Sequence, residues 1–371
     1  MPSMNESSSY GSPITSLPGQ APAKNSVSSV PFLLREATLA DMSHILRLAR
    51  VLDSINLPTE EDDLATLIQQ SVFSFRGQIQ DWQTGAYLFV LEDLATCGIA
   101  GTAMLIAKHG TPESPHYYLE MATDQRYSKT LKRMFHHTYL TLRRNLDGPT
   151  EVGGLIVDPA FRQNPAKIGK QLSFVRFLYL ALYPGRFEGE VLAEMLPPLL
   201  DNKENLFWDC YGKRVTGLSF RAADKLSTKD KEFIDALFPS IPIYTCMLSV
   251  EVQEQIAKVG PETEGAVHLL EKIGLRFLGH VDPFDAGPYY GGKVEDILLV
   301  QQFCRYQVVS DRDEREETSQ EDLLIGWEGT KGFCAARIKA RPEADFLLCP
   351  ADTLQALALQ DGMEVGAVPF L

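Results

Sequence analysis

Nowhere in these 371 residues does an apolar run reach the ~18 residues that a membrane-spanning helix needs without a charge, proline or glycine interrupting it. A membrane partner is therefore not expected. The six cysteines (Cys97, Cys210, Cys246, Cys304, Cys334 and Cys349) include no C-x-x-C pair and have no histidine at ligand spacing. That argues against a disulfide framework or a zinc site, and for free thiols in a reducing compartment. Basic residues are in the minority, 35 Lys and Arg against 49 Asp and Glu, for a net charge of −14. Broad nucleic-acid binding needs a basic face and is not expected, and an anionic ligand must be met by local cations. The first thirty residues lack any hydrophobic core segment. They are expected to be a disordered tail (1–30) rather than a signal peptide, and the location to be cytoplasmic. No fixed-period repeat is present.

What is present is the composition of an ordinary globular protein, 44% hydrophobic and 23% charged. PFLLREAT from Pro31 reads as a strand, and Thr38 or Asp41 can cap a helix carrying Ile45, Leu46, Leu48, Ala49 and Leu52. Pro58 ends it. EEDDLATLIQQSVFSF starts a second helix with acids in its first turn, where the helix dipole favours them. AYLFVLED and IAGTAMLIAKHG read as a hairpin, HYYLEMA as a strand, and SKTLKRMFHHTYLTLRR has helix-compatible spacing. GEVLAEML is an apolar strand stopped by Pro197 and Pro198. The stretch 205–255 is helical in pattern, and Thr263–Ile273 is a further helix. Seven acids and two arginines between Asp311 and Asp322 suggest a solvated linker, 301–322. A small β-rich C-terminal domain, 323–371, is expected after it.

Gly153 to Leu182 says most about chemistry. It reads as a short apolar strand, a turn at Asp158-Pro159, a basic loop and a helix apolar on most of its circumference. A strand feeding such a loop at a helix N-terminus can hold phosphate, because free N–H groups and the positive end of the dipole point at the anion. Acyltransferases using coenzyme A place its pyrophosphate in such a loop. Arg162, Lys167, Gly169 and Lys170 are the candidates to receive it, with Leu155 and Val157 offering backbone groups to the pantetheine arm and the developing oxyanion.

The sequence of elements resembles the GCN5-related N-acetyltransferase fold. Dispersed motifs make the chain resemble, more narrowly, the arginine N-succinyltransferase family. They are LFVLED (88–93), VDPAFR (157–162), LSFVRF (172–177), AEM (193–195), FW…GKR (207–214), PIYTCMLSVEVQ (242–253), LEKIGLRF (270–277) and VDPFDAGP (281–288). The resemblance implies an α+β mixed sheet flanked by helices, with a helical insertion, forming an acyltransferase domain over 31–300. It implies transfer of succinyl from the co-substrate succinyl-CoA to the α-amine of L-arginine, with no permanent cofactor and no metal. Two alternatives stay open: another acyl-CoA or amine, or a non-catalytic coenzyme-A-binding descendant. Self-association into a homo-oligomer is left open too.

Direct transfer asks for a base to take a proton from the amine. Glu151, opening the strand beside the thioester, and Glu194, in an apolar strand, are the candidates. Asp282 and Asp285 could offer carboxylates to a guanidinium or could cap turns around Pro283 and Gly287. Gly260 stands where family members have a histidine assigned as proton donor, and Cys246 where they have another. His109 and His116 read as loop histidines, with replacement of that donor as the alternative. The pair His136 and His137 reads as helix surface.

Overall fold

Phe32–Glu36 alternates buried and half-buried positions and forms β1. In this computed structural model residues 30–51, 57–198, 205–311 and 320–371 are described. The expected tail to residue 29, Leu52 and residues 312–319 of the acidic run lie outside them. Asp41 does the capping after β1, its carboxylate accepting from the Thr38 amide at 2.9 Å and from both ends of the Arg35 guanidinium at 2.8 Å. Helices α1 (Met42–Val51) and α2 (Glu61–Phe75) follow, the second with Glu61, Asp62 and Asp63 in its first turn. The expected hairpin is β2 (Ala86–Asp93) and β3 (Gly98–Ile106).

One expectation fails here. Residues 133–144 of the segment read as helix lie in β5 (Arg133–Asn145), paired along its length with β4 (His116–Ser128). Helical and alternating templates overlap over so short a span, and cross-strand pairing decides between them. Phe135 and His137 lie on one face of β5, their rings stacked 6.0 Å apart. Leu140 and Leu142 lie on the other, in the apolar cluster under the helical insertion. The pair His136 and His137 is accordingly on a strand.

Then come β6 (Thr150–Val157), α3 (Ile168–Leu182) and β7 (Glu190–Glu194). The insertion comprises α4 (Leu206–Cys210), α5 (Gly212–Thr216), α6 (Phe220–Ser227), α7 (Glu232–Leu237), the short strand β8 (Ile243–Tyr244) and α8 (Val250–Gln255). It is followed by α9 (Glu264–Lys272), β9 (Arg276–Val281), β10 (Pro288–Lys293) and α10 (Leu298–Gln301). The main sheet runs β1-β2-β3-β6-β7-β10-β9-β4-β5-β8. Helices α1 and α2 cover one face through Ile45, Leu48, Leu64 and Ile68, and α3 covers the other. This is the expected mixed sheet flanked by helices with a helical insertion.

The remaining strands are β11 (Cys304–Ser310), which lies inside the stretch expected as linker, β12 (Glu321–Gly329), β13 (Gly332–Glu343), β14 (Phe346–Cys349) and, after α11 (Ala351–Ala356), β15 (Glu364–Pro369). They pair in the order β12-β15-β11-β14-β13, and β13 returns to β12, so the five close on themselves. The closed set holds its own core of Val308, Ile325, Trp327, Leu347 and Leu354. It is joined to the main sheet where β13 pairs with β1 at Leu34↔Ala335. Phe333, Val368 and Phe370 also pack into the cluster around α3, which is why that helix is apolar nearly all round. No helix among the described residues is long and apolar enough to cross a membrane.

Candidate active site

The main sheet is antiparallel except between β6 and β7, which are parallel and pair only at Thr150↔Val191 and Glu151↔Leu192. Beyond that point the strands separate and leave an opening in the sheet. At the same level β6 slips register against β3, and Gly154 takes φ +58. A Cβ on Gly154 would also lie 2.7 Å from the Met104 Cβ. This bulge frees backbone groups of β6 beside the opening.

Around the mouth of the opening stand groups from four parts of the chain. Glu151 comes from β6, Glu194 ends β7, His109 follows β3 and His116 opens β4. The His109 loop is tied down by its own amide, which donates to the Pro149 carbonyl at 2.8 Å. Its neighbour Lys108 bridges Asp147 and Glu188, the latter at 2.9 Å. His109 Nδ1 meets a Glu151 oxygen at 2.8 Å, and His109 Nε2 lies 3.6 Å from Glu194 Oε1. His116 Nε2, buried and without a hydrogen-bond partner, is 3.9 Å from the same oxygen. The two imidazoles pack edge to face, 4.5 Å apart.

Burial lowers the proton affinity of His109, but the adjoining Glu151 carboxylate outweighs it and the pKa is raised. Burial likewise works to raise Glu151, and the charge and hydrogen bond of His109 bring it below the ordinary value. His116 is held well below its ordinary pKa by burial and by the positive charge that His109, Lys231 and His280 would set beside it. Burial drives Glu194 up to about 7, and Glu151 and Asp282 add to the rise against the pull of His109. The cluster therefore pairs a proton-holding imidazole with a carboxyl poised near neutrality. His109, His116 and Glu194 each bring a ligand atom within 4.8 Å of the others, so the same lone pairs could take a divalent cation.

Asp282 and Asp285 sit in the turn between β9 and β10. Asp282 Oδ1 accepts from the amides of Phe284 (2.7 Å) and Asp285 (3.1 Å), and Oδ2 from the Tyr289 hydroxyl at 2.9 Å. Asp285 Oδ1 accepts from the Gly287 amide at 2.7 Å. Both carboxylates thus hold the turn, and Asp282 also faces the cluster through Tyr289, which pairs with Glu194 across β7 and β10.

The other predicted group gathers at the far end of β6. Leu155 and Val157 pack partly against the α3 core. Lys167, immediately before α3, adopts the left-handed conformation at φ +59 and ψ +54. A Cβ on Gly169 would meet only the Val157 Cγ2, at 3.5 Å, so the first turn of α3 is open to an anion. Arg162 pairs with Glu262 at 2.9 Å near that turn. Lys170 points elsewhere, donating to the Phe370 carbonyl at 3.2 Å and lying 4.1 Å over that ring.

The family model described as "Arginine N-succinyltransferase beta subunit" matches residues 32–299, most of the chain. The chain belongs to the arginine N-succinyltransferase family. The arginine N-succinyltransferase of Citrobacter koseri is 30% identical over 339 residues, covering 91% of this chain and 97% of that one. An Escherichia coli relative of the same name is 29% identical with the same coverage. The solved structure of arginine/ornithine succinyltransferase subunit AI from Pseudomonas aeruginosa superposes with a TM-score of 0.78, at 24% identity, over 92% of this chain and 99% of that one. The family is one of acyltransferases.

A Cβ on Gly260 would lie 2.7 Å from the Pro197 carbonyl oxygen, so no longer side chain fits there without moving backbone. Cys246 is exposed. His109 and His116 stand in the cluster, His109 in a loop as expected and His116 at the start of β4. Lys231, whose Nζ donates to the Pro115 carbonyl at 3.3 Å, also bears on the cluster. It carries no local sequence signal.

Proposed function

We propose that this chain transfers the succinyl group of succinyl-CoA to the α-amine of L-arginine, in the cytoplasm, by direct attack within a ternary complex. Supporting the reading most strongly is the half-buried Glu151–His109–Glu194 cluster at the place where β6 and β7 part, in a member of this family. The diphosphate of the donor is held at the first turn of α3 by the amides there, with Lys167 and Arg162 nearby. The pantetheine arm lies along Leu155 and Val157 of β6, and the thioester carbonyl reaches the backbone groups freed by the bulge.

Glu194 takes a proton from the α-ammonium. The amine nitrogen then bonds to the thioester carbon, the carbon–sulfur bond breaks as the protonated His109, steadied by Glu151, gives its proton to the departing thiolate, and the imidazole so freed takes the second proton that the new amide nitrogen sheds. Asp282, with Tyr289, faces the cationic substrate. Asp285 is committed to the turn, so its part is to hold Asp282 in place.

The test is to mix purified protein, L-arginine and succinyl-CoA, follow thiol release and weigh the product. Succinyl-arginine is the expected product. A different acyl donor or amine preferred in a panel would overturn the substrate assignment, and no transfer with any pair would overturn the acyltransferase reading.

A further inference from the structure

Helix α3 carries a guanidinium where a helix packed on all sides should carry none. Arg176 is 3% exposed. Its Nε donates to the Ser173 carbonyl at 3.2 Å, Nη2 to the Ser173 hydroxyl at 3.1 Å, and Nη1 to the Gly153 carbonyl of β6 at 3.2 Å. A guanidinium has five N–H groups, so one on each terminal nitrogen is left over. Among the described residues no carboxylate pairs with it, and burial alone draws its pKa down to about 10. It stays charged at neutral pH, and a buried cation without a counter-ion is strongly unfavourable.

Its position gives that cost a use. Gly153 immediately precedes the bulge, at the opening between β6 and β7. Val152, Val191 and Ala193 face α3 in one apolar cluster, so Glu151 and Glu194 project from the opposite face. The acid–base groups stand on one side of the opening and the unpaired guanidinium on the other. From Ile168 to Arg176 is about 12 Å of helix, returning alongside β6. A donor anchored by its diphosphate at the start of α3 and laid along β6 brings its acyl tail towards Arg176.

We propose that Arg176 receives the distal carboxylate of the donor's acyl group and so selects a dicarboxylic thioester over a neutral one. The two remaining N–H groups, one on each terminal nitrogen, form the fork that a carboxylate matches. This rests on the acyl-transfer reading above. The experiment compares succinyl-CoA with butyryl-CoA, an uncharged donor of the same chain length, in the wild type, Arg176→Gln and Arg176→Lys.

In Arg176→Gln, kcat/KM for succinyl-CoA should fall by a factor on the order of 10² while that for butyryl-CoA holds or rises, with Arg176→Lys intermediate. An equal loss for both donors would make Arg176 a clamp on the bulge and overturn the proposal. Calorimetry on the wild type gives a second readout that needs neither a folded variant nor turnover. Tighter binding of succinyl-CoA supports the proposal, and equal affinity for the two donors overturns it. If the wild type binds succinyl-CoA preferentially but transfers nothing, the acyltransferase reading falls and this assignment stands.

Discussion

Glu194 is the residue at which pH and catalysis meet. Burial puts its pKa near 7, against an ordinary 4.5, so the carboxylate proposed to accept the amine's proton forms only as pH passes neutrality. The expected kcat/KM profile rises through about pH 7, and Glu194→Gln should lower kcat by roughly 10²- to 10⁴-fold and remove that limb. The stability consequence has the opposite sign. Between 4.5 and about 7 the folded state keeps a proton that the unfolded chain has lost, so this group's contribution to folding declines as pH rises. Glu194→Gln is therefore expected to gain melting temperature relative to the wild type between pH 5 and pH 8; a difference that shrinks over that range would refute the assignment. Lys167 offers a second check. Its left-handed backbone suits glycine, so Lys167→Gly should stabilise the fold by about 0.5–1 kcal/mol in urea titration, at the expense of donor affinity.

Among the elements, β6 carries the most chemistry in the fewest residues. Gly154→Ala combines a left-handed φ with a Cβ 2.7 Å from that of Met104. It should cost about 1–3 kcal/mol and depress kcat more than it raises the KM for arginine, because the bulge shapes the acyl site rather than the amine site. Gly260→His, which places a histidine where the sequence resemblance expects one, should likewise destabilise the protein and bring no gain in rate. The strand–loop–helix and the β2–β3 hairpin were legible because each is fixed locally, by alternation, a turn and a helical period. β5 was not, since only its partner β4 settles its conformation. The site was half legible: Glu151 stood out as opening the strand before the loop and Glu194 as an acid in an apolar strand, whereas His109, His116 and Lys231 meet them only through contacts distant in sequence.

Taken as a whole, the molecule is organised about α3, which has the main sheet on one side and the closed C-terminal strands on another. We propose that β11 to β15 are a unit by strand closure, wider than the expected 323–371 because β11 joins β14 to β15, yet depend on this helix for part of their core. Phe370 shows the dependence, buried edge-on against Phe174 at 5.8 Å and covered by Lys170 and Arg337. Phe370→Ala should cost about 3–4 kcal/mol and lower the midpoint of a single, global unfolding transition. A separate early transition for the C-terminal strands would count against it. The parting of β6 from β7 has a kinetic consequence as well. A continuous sheet is a wall, and this one has a window, so under the proposed mechanism the thioester and the amine approach it by separate doorways. Neither need wait for the other, and double-reciprocal plots should intersect with either reactant binding first, each product competing only with the reactant whose entrance it shares.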